Sequence, residues 1–451
     1  MHSIFSRDKQ AHPALVLAFA ILLVTLIGSW SLLTASAAPV GAKTAYERFA
    51  IGNVTAENLR QGIRERSTLM LRSVVVRFIT GTGTTVAEWN VSLADHPTWV
   101  TFSPDMGDTI RPVVQSDVIR EYLQSNPIDG VPSPKACVIQ SEHTDAQGVR
   151  RIETSCLGEN GYTFDQHSLA GNLKEAFESK KPTVDVALTQ VAPVITGMGG
   201  SGETVNGTMT LLASGQSNFK GSGAGRKDNV RKALNERINN IVIPQGATFS
   251  FNSALGEKVS LSAGWKMALT IFNGGELKPA PGGGICQAST TLYRAALRAG
   301  LPILAHKNHS LYVHYYEAYG VGLDATIFMG HQDMIFRNDT PGPIVIQAFN
   351  RGDEATVNIY GIDDGRSVTI SGPFFARTGQ TVLTSDGHQI RTNEIGWERS
   401  VQLPQGDALQ EVILARYKTL PLSLSKKYMA ETVQTRGGED IAMRSVVAEH
   451  N

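Results

Sequence analysis

Apolar positions along the chain recur with two different periods. From Ser116, the residues Val118, Ile119, Tyr122 and Leu123 fall on one helical face. After Asp165, a good N-cap, Leu169, Leu173, Ala176 and Phe177 recur at spacings of three and four and predict a second helix. Between them, residues 135–140 and 151–156 read as strands around the turn Asp145-Ala-Gln-Gly148. Thr183-Val-Asp-Val-Ala-Leu188 then alternates. Residues 197–225 are rich in Gly, Ser and Thr and read as a linker with an edge segment. Neither glycine cluster there carries the Gly-Lys-Ser/Thr of a phosphate loop. Asp228 is placed to cap a helix through Val230, Ala233, Leu234, Ile238 and Ile241, and a turn and short strand follow over 244–252. A helix over 287–299 turns Ala288, Leu292, Ala295 and Ala299 inward, and Gly300 and Pro302 end it. Beyond it, short alternating runs at 309–316, 323–329, 334–337, 344–349 and 355–360 predict an antiparallel meander. Residues 362–451 read as a β-rich extension (367–370, 408–417) with a loose tail. The class expected is α+β.

One stretch departs from both periods. Ala14 to Leu33 is twenty residues without a charge, about the length that spans a bilayer as a helix. Arg7 and Lys9 precede it, which keeps that end cytoplasmic. Ala35-Ser36-Ala37 offers a cleavage site, so residues 1–40 are either a retained membrane anchor or a signal peptide. Both readings put the rest of the chain outside the cytoplasmic membrane. With no other such stretch, a transporter is excluded.

Composition narrows the class further. The chain has 451 residues, 41% hydrophobic, with 41 Lys+Arg against 41 Asp+Glu. That excludes a disordered chain and argues against a nucleic-acid partner, which asks for a basic excess. The length fits two or three domains.

There are three cysteines. Cys137 and Cys156 lie on the two predicted hairpin strands, so a disulfide between them is expected, the alternative being two unpaired thiols. Disulfides persist outside the membrane. The pairing leaves Cys286 over, and an odd cysteine in an exported protein is an intermolecular partner or a reactive thiol.

Cys286 stands where a reactive thiol is favoured. Gly282, Gly283 and Gly284 precede it at a predicted helix start. Unpaired N–H groups there favour a thiolate and can donate to an oxyanion. Gly283, Gly284 and Gln287 are the loop and oxyanion candidates. A nucleophile needs a base and the base an orienter. His309 opens the next predicted strand and Asp324 lies in the apolar run after it, where an unpaired carboxylate would be costly. His306, His314 and His331 compete for the base role. The competing reading is a packed small residue at a helix start. A zinc site from Cys286, His306, His309 and Asp324 lacks any CxxC or HExxH spacing, so neither a metal nor a cofactor is expected. The order Cys, His, Asp resembles the papain-like and transglutaminase-like cysteine enzymes.

Phe249-Ser-Phe-Asn252, Gly256, Gly282-Gly-Gly-Ile-Cys-Gln-Ala-Ser-Thr-Thr-Leu-Tyr293, His309-Ser310, Gly322-Leu-Asp-Ala-Thr326 and Ile359-Tyr-Gly361 together resemble the VanW family, named for a protein of vancomycin-resistance clusters. The resemblance covers residues 205–361. Residues 161–196 resemble, more weakly, the peptidoglycan-binding domain that often precedes this module, so 41–196 is expected to bind wall. The resemblance implies an extracytoplasmic cell-envelope protein with peptidoglycan or its peptide stems as partner. Two functions follow. One is a cysteine-dependent peptidase, amidase or transpeptidase using Cys286, His309 and Asp324, with Phe249, Asn252 and Tyr293 lining the cleft. The other is a non-catalytic wall-binding protein whose helix start holds a carboxylate.

Overall fold

A computed structural model describes residues 55–436, apart from residues 82, 105–109, 198–204, 206, 257, 273–274 and 407. The predicted anchor or signal segment, the Gly-rich run 198–202 and the last 15 residues of the tail lie outside the described residues. No described helix is long and apolar enough to cross a membrane. The structure is mixed α and β, rich in strands and with few helices.

The described residues fall into two compact units that interleave along the chain. The first holds helix α1 (Ala56–Met70) and strands β1 (Ser73–Thr80), β2 (Thr85–Ser92), β3 (Val100–Pro104) and β4 (Ile110–Val114). It also holds α2 (Ser116–Ser125), α3 (Gln166–Ser179) and β8 (Thr183–Val191) as far as Thr189. Both predicted helices are here. Asp165 caps α3 by accepting the His167 and Ser168 N–H groups, and Leu169, Leu173, Ala176 and Phe177 are its buried stripe. β1 pairs antiparallel with β2 and parallel with β8.

The second unit carries the remaining strands. They are β5 (Cys137–Thr144), β6 (Arg150–Thr154), β7 (Gly161–Thr163), β9 (Val194–Thr196), β10 (Thr208–Asn218), β11 (Ile241–Ile243) and β12 (Thr248–Ser250). Then come β13 (Met267–Phe272), β14 (Glu276–Pro281), β15 (Ile303–Ala305), β16 (Ile335–Arg337), β17 (Ile344–Arg351) and β18 (Glu354–Gly361), followed by β19 (Ser367–Phe375), β20 (Glu394–Gln402), β21 (Leu409–Arg416) and β22 (Glu431–Arg436). Its helices are α4 (Ala224–Lys232), α5 (Phe251–Leu255), α6 (Ile285–Arg298) and α7 (Leu424–Lys427). Strands β10-β18-β17-β11-β6-β5-β9 close a barrel, and β21-β20-β19-β22 form a separate sheet. In the β5–β6 hairpin Ile139 pairs with Thr154. Two residues further along the same register Cys137 faces Cys156, and the disulfide is formed.

Three expectations are corrected. The Gly/Ser/Thr-rich run is no linker around its middle, because residues 208–218 are β10, a buried barrel strand. Its small residues serve packing: a Cβ on Gly215 would sit 2.1 Å from the Thr291 carbonyl oxygen, so only glycine lets α6 lie this close. The helix expected to start after Asp228 begins five residues earlier, at Ala224, and continues as a π-helical stretch over 233–238. Finally, 309–316 and 323–329 are not meander strands. Apart from a single 3-10 turn, His314–Tyr316, they are loops. Tyr316, Leu323 and Ala325 are buried all the same, while Phe328 is exposed. Buried Arg294 of α6 donates to the loop carbonyls of Tyr316, Ala318, Gly320 and Leu323 and to that of Gln216 on β10. A guanidinium supplies the partners a sheet would have given.

Candidate active site

The centre is the start of α6. Gly284 occupies the N-cap position with φ 108°, and no side chain caps the helix from there. The stitching comes from Asn229 of α4, fully buried. Its amide donates to the carbonyls of Lys266 and Gly283 and accepts from the Lys266 N–H, at 2.8–2.9 Å. The base of the β13–β14 hairpin is thereby tied to the glycine loop. A Cβ on Gly283 would lie 2.5 Å from the Ala268 carbonyl oxygen of that hairpin.

This places Cys286 in the first turn, half-buried and free of any disulfide. Its sulfur lies 3.7 Å from Thr326 Oγ1 and 3.7 Å from the Ile327 carbonyl oxygen. Its thiol is also coupled electrostatically to the His309 side chain, which favours the ionised sulfur. His309 Nδ1 is 2.5 Å from Asp324 Oδ2, which also accepts the His309 backbone N–H at 2.8 Å. With Nδ1 committed to Asp324, Nε2 is the nitrogen left for the sulfur. Asp324 is completed by the Tyr417 hydroxyl, which donates to Oδ1. His309 and Asp324 are therefore hydrogen-bonded to each other, and Cys286 is coupled to His309 electrostatically.

The loops are held from several sides. Thr290 of α6 accepts the Ala325 N–H at 3.1 Å, and the Thr326 N–H reaches the Lys307 carbonyl at 2.8 Å. Asn308 donates to the Arg416 carbonyl, and the Lys418 N–H to that of Ser310. The end of β21 thus lies across the loop that carries His309, whose ring also packs at 5.2 Å from Tyr316.

Electrostatics follow from this packing. Burial alone would pull the His309 imidazolium down. Asp324 and the Cys286 sulfur outweigh it and push His309 up to about 10. Burial would raise the Cys286 thiol, yet its contacts with His309, Ile327 and Thr326 bring it below the ordinary value. Asp324 also resists burial and is held below the usual carboxylate range, mainly by His309 and then Tyr417. All three shifts favour a thiolate–imidazolium pair backed by a carboxylate. Such a pair can attack a carbonyl carbon and return a proton.

The other candidates are placed differently. Gln287 is fully buried, its amide donates to Ser217 on β10, and its backbone N–H is used by the Gly284 carbonyl. Phe249 stacks on Phe336 at 5.1 Å in the core. Asn252 donates to the Gln332 carbonyl, and its N–H is taken by Asp333. Tyr293 is buried and stacks on His306 at 4.4 Å. The structure thus gives these three packing partners of their own. His314 and His331 lie against Tyr315 and Phe328. Among the described residues no group of three or more His, Cys, Asp or Glu is arranged to hold a metal ion. Sequence reasoning missed Tyr417, Thr326 and Arg294. Thr326 alone carried a signal, since it sits in the Gly322–Thr326 motif.

The fold and site define a β-rich α+β domain with a Cys–His–Asp chain at a glycine-led helix start. Residues 225–360 match the family model described as VanW like protein, so this part of the chain is a VanW-like domain. A stretch of 145 residues is 37% identical to the uncharacterized protein YoaR of Bacillus subtilis (strain 168), over 32% of this chain. The match spans 46% of that relative's length, so the chain covers about half of it. No solved structure matches the chain. Tyr417, from β21 onward, lies outside the family match and still contacts Asp324.

Proposed function

We propose that this is an extracytoplasmic cell-envelope protein that performs cysteine-dependent acyl transfer on the peptide amides of peptidoglycan. The observation that carries the reading is His309, buried between a carboxylate and a half-exposed free thiol in an otherwise oxidised, disulfide-bearing chain. Cys286 Sγ attacks the amide carbonyl carbon. The C–N bond breaks, His309 gives its proton to the leaving amine, and a thioester remains. Water then releases a carboxylate, or a second amine takes the acyl group and forms a crosslink. Asp324 holds the imidazole in place. On this reading residues 41–196 bind wall, 205–361 carry the chemistry and 362–451 brace it, with residues 14–33 as membrane anchor or signal.

One observation favours the binding alternative. The Ile285 and Gln287 N–H groups are already used by the Gly282 and Gly284 carbonyls. That leaves fewer free donors for an oxyanion than a helix start usually offers. A site of this kind still holds a peptide carboxylate.

The experiment is incubation of the full chain with purified peptidoglycan, reading released amines and new crosslinks, with Cys286→Ala beside it. Turnover lost in the variant supports catalysis. Equal turnover removes the nucleophile, and wall binding without turnover in either protein leaves the binding reading.

A further inference from the structure

The barrel has an unassigned cavity of about 510 Å³. That lies within the roughly 300–1,000 Å³ of small-molecule sites, which favour barrel mouths. The strand register shows how it arises. Residues opposite one another share a face, and on β10, β18 and β17 alternate residues form rows across the barrel interior. Innermost, Tyr360 pairs with Val345 in the apolar cluster that holds Cys137, Ile195 and Met209. The next row is Ser214, Asn358 and Gln347, then Gln216, Thr356 and Phe349, then Glu354 and Arg351. The interior therefore grades from apolar to amide and hydroxyl to charged. The rows between, such as Gly215, Val357 and Ala348, face the opposite way, and Gly215 packs on α6. The cavity and Cys286 thus belong to opposite faces of β10.

The lining selects a ligand. Its cation is matched, since Arg351 pairs with Glu159 at 2.9 Å. Glu354 accepts from the Tyr319 hydroxyl. Asn160, Gln190, Gln216 and Thr356 also line the cavity, and among the described residues their side chains have no protein hydrogen-bond partner. What the cavity offers is neutral donors and acceptors at several angles, one carboxylate able to take hydroxyl protons, and the aromatic carbon of Phe349 and Tyr319. Tyr319 is held at φ 67°, a conformation costly for a side chain this size. The Arg298 guanidinium bonds its carbonyl at 2.7 Å. Strain kept in place at a cavity wall is a common mark of a ligand site.

We infer that the polar mouth of the barrel is a binding site for an uncharged sugar with hydroxyl and acetamido groups, such as one unit of a glycan strand. It takes from the preceding reading only the cell-wall setting and needs no chemistry at Cys286.

The test titrates the full chain with a neutral β-1,4-linked N-acetylglucosamine tetramer, followed by calorimetry and saturation-transfer NMR. Binding is expected, unchanged in Cys286→Ala and at least tenfold weaker in the double variant Gln216→Ala, Thr356→Ala. Both substituted side chains are solvent-accessible and unpartnered. Circular dichroism checks their fold, and Asn160→Ala with Gln190→Ala at the rim provides a second pair. No binding at millimolar sugar, equal binding by both double variants, or displacement of the tetramer by a short lysine peptide would each overturn the assignment. Failure of peptidoglycan turnover with sugar binding intact would strike the acyl-transfer reading alone.

Discussion

Among its described residues the second unit holds two histidine–carboxylate pairs, and their difference shows what makes one a candidate site. His309 meets Asp324 at 2.5 Å, and His388 Nε2 meets Glu394 at 2.8 Å. Both carboxylates are almost fully buried. Glu394, however, also binds Arg416 at 2.7–2.8 Å and the Arg391 N–H at 3.0 Å, so a permanent cation already balances it. Asp324 accepts only from His309 and a neutral hydroxyl, that of Tyr417. Neighbouring residues of one segment, Arg416 and Tyr417, thus serve the two carboxylates in opposite ways. Where the arginine binds, a permanent cation pairs with the carboxylate. Where the tyrosine binds, the raised His309 is the charged partner, coupled in turn to a sulfur. A histidine beside a carboxylate is therefore no sign of catalysis by itself; the carboxylate with no arginine bonded to it and the added thiol set His309 apart.

The largest effect that can break this comparison is on turnover. Cys286→Ala is expected to lower it by on the order of 10³-fold or more, whereas His388→Ala leaves it unchanged. A comparable loss in both, measured by amine release, would erase the distinction. Next is Asp324→Asn, expected to cost on the order of 10²–10⁴-fold with the fold intact. Glu394→Gln should instead lower stability, by about 1–3 kcal/mol in urea unfolding, with thiol reactivity untouched. Arg294→Met removes donors from five carbonyls and should cost about 3 kcal/mol or more. Melting and proteolysis within residues 316–324 report it. The smallest of these effects is Tyr417→Phe, which removes one hydrogen bond to a charged group and should cost about tenfold in turnover.

Stability against pH sharpens the same contrast. An unfolded histidine loses its proton near pH 6.5 and an unfolded thiol near 8.5. Between those values the unfolded pair holds one proton, and a folded pair with Cys286 ionised and His309 protonated would hold one as well and add no slope. Above about 8.5 the unfolded pair holds none, while His309 keeps its proton up to about 10, so stability falls as pH rises. Below about 6.5 the unfolded pair holds two, so stability falls with pH over the range in which the folded sulfur stays ionised. Cys286→Ala leaves His309 raised by Asp324 alone, so the variant should lose stability steadily from about pH 6.5 upward. Chemical unfolding across pH 5–10 separates a plateau from a slope.

The sequence showed the helix start, the free thiol and the order of the three side chains, because glycine spacing, cysteine count and a carboxylate in an apolar run are local facts. It hid the loops around His309 and Asp324. Their alternation looks like strand, and only Arg294, two turns along α6, turns buried loop into a satisfied structure. It hid β10 as well, since residues small enough to sit under α6 have the composition of a linker. Tyr417 was out of reach because 93 residues separate it from its carboxylate. The disulfide was legible, since one hairpin register pairs its cysteines.

The most direct test of the thiolate–imidazolium pair is alkylation of Cys286 by iodoacetamide across pH 4–10, in the native chain and in His309→Gln. The native thiol should react with a midpoint well below about 8.5, and the variant's midpoint should return to that value or above it. Identical profiles, or a native thiol that reacts only above pH 8.5, would contradict the account.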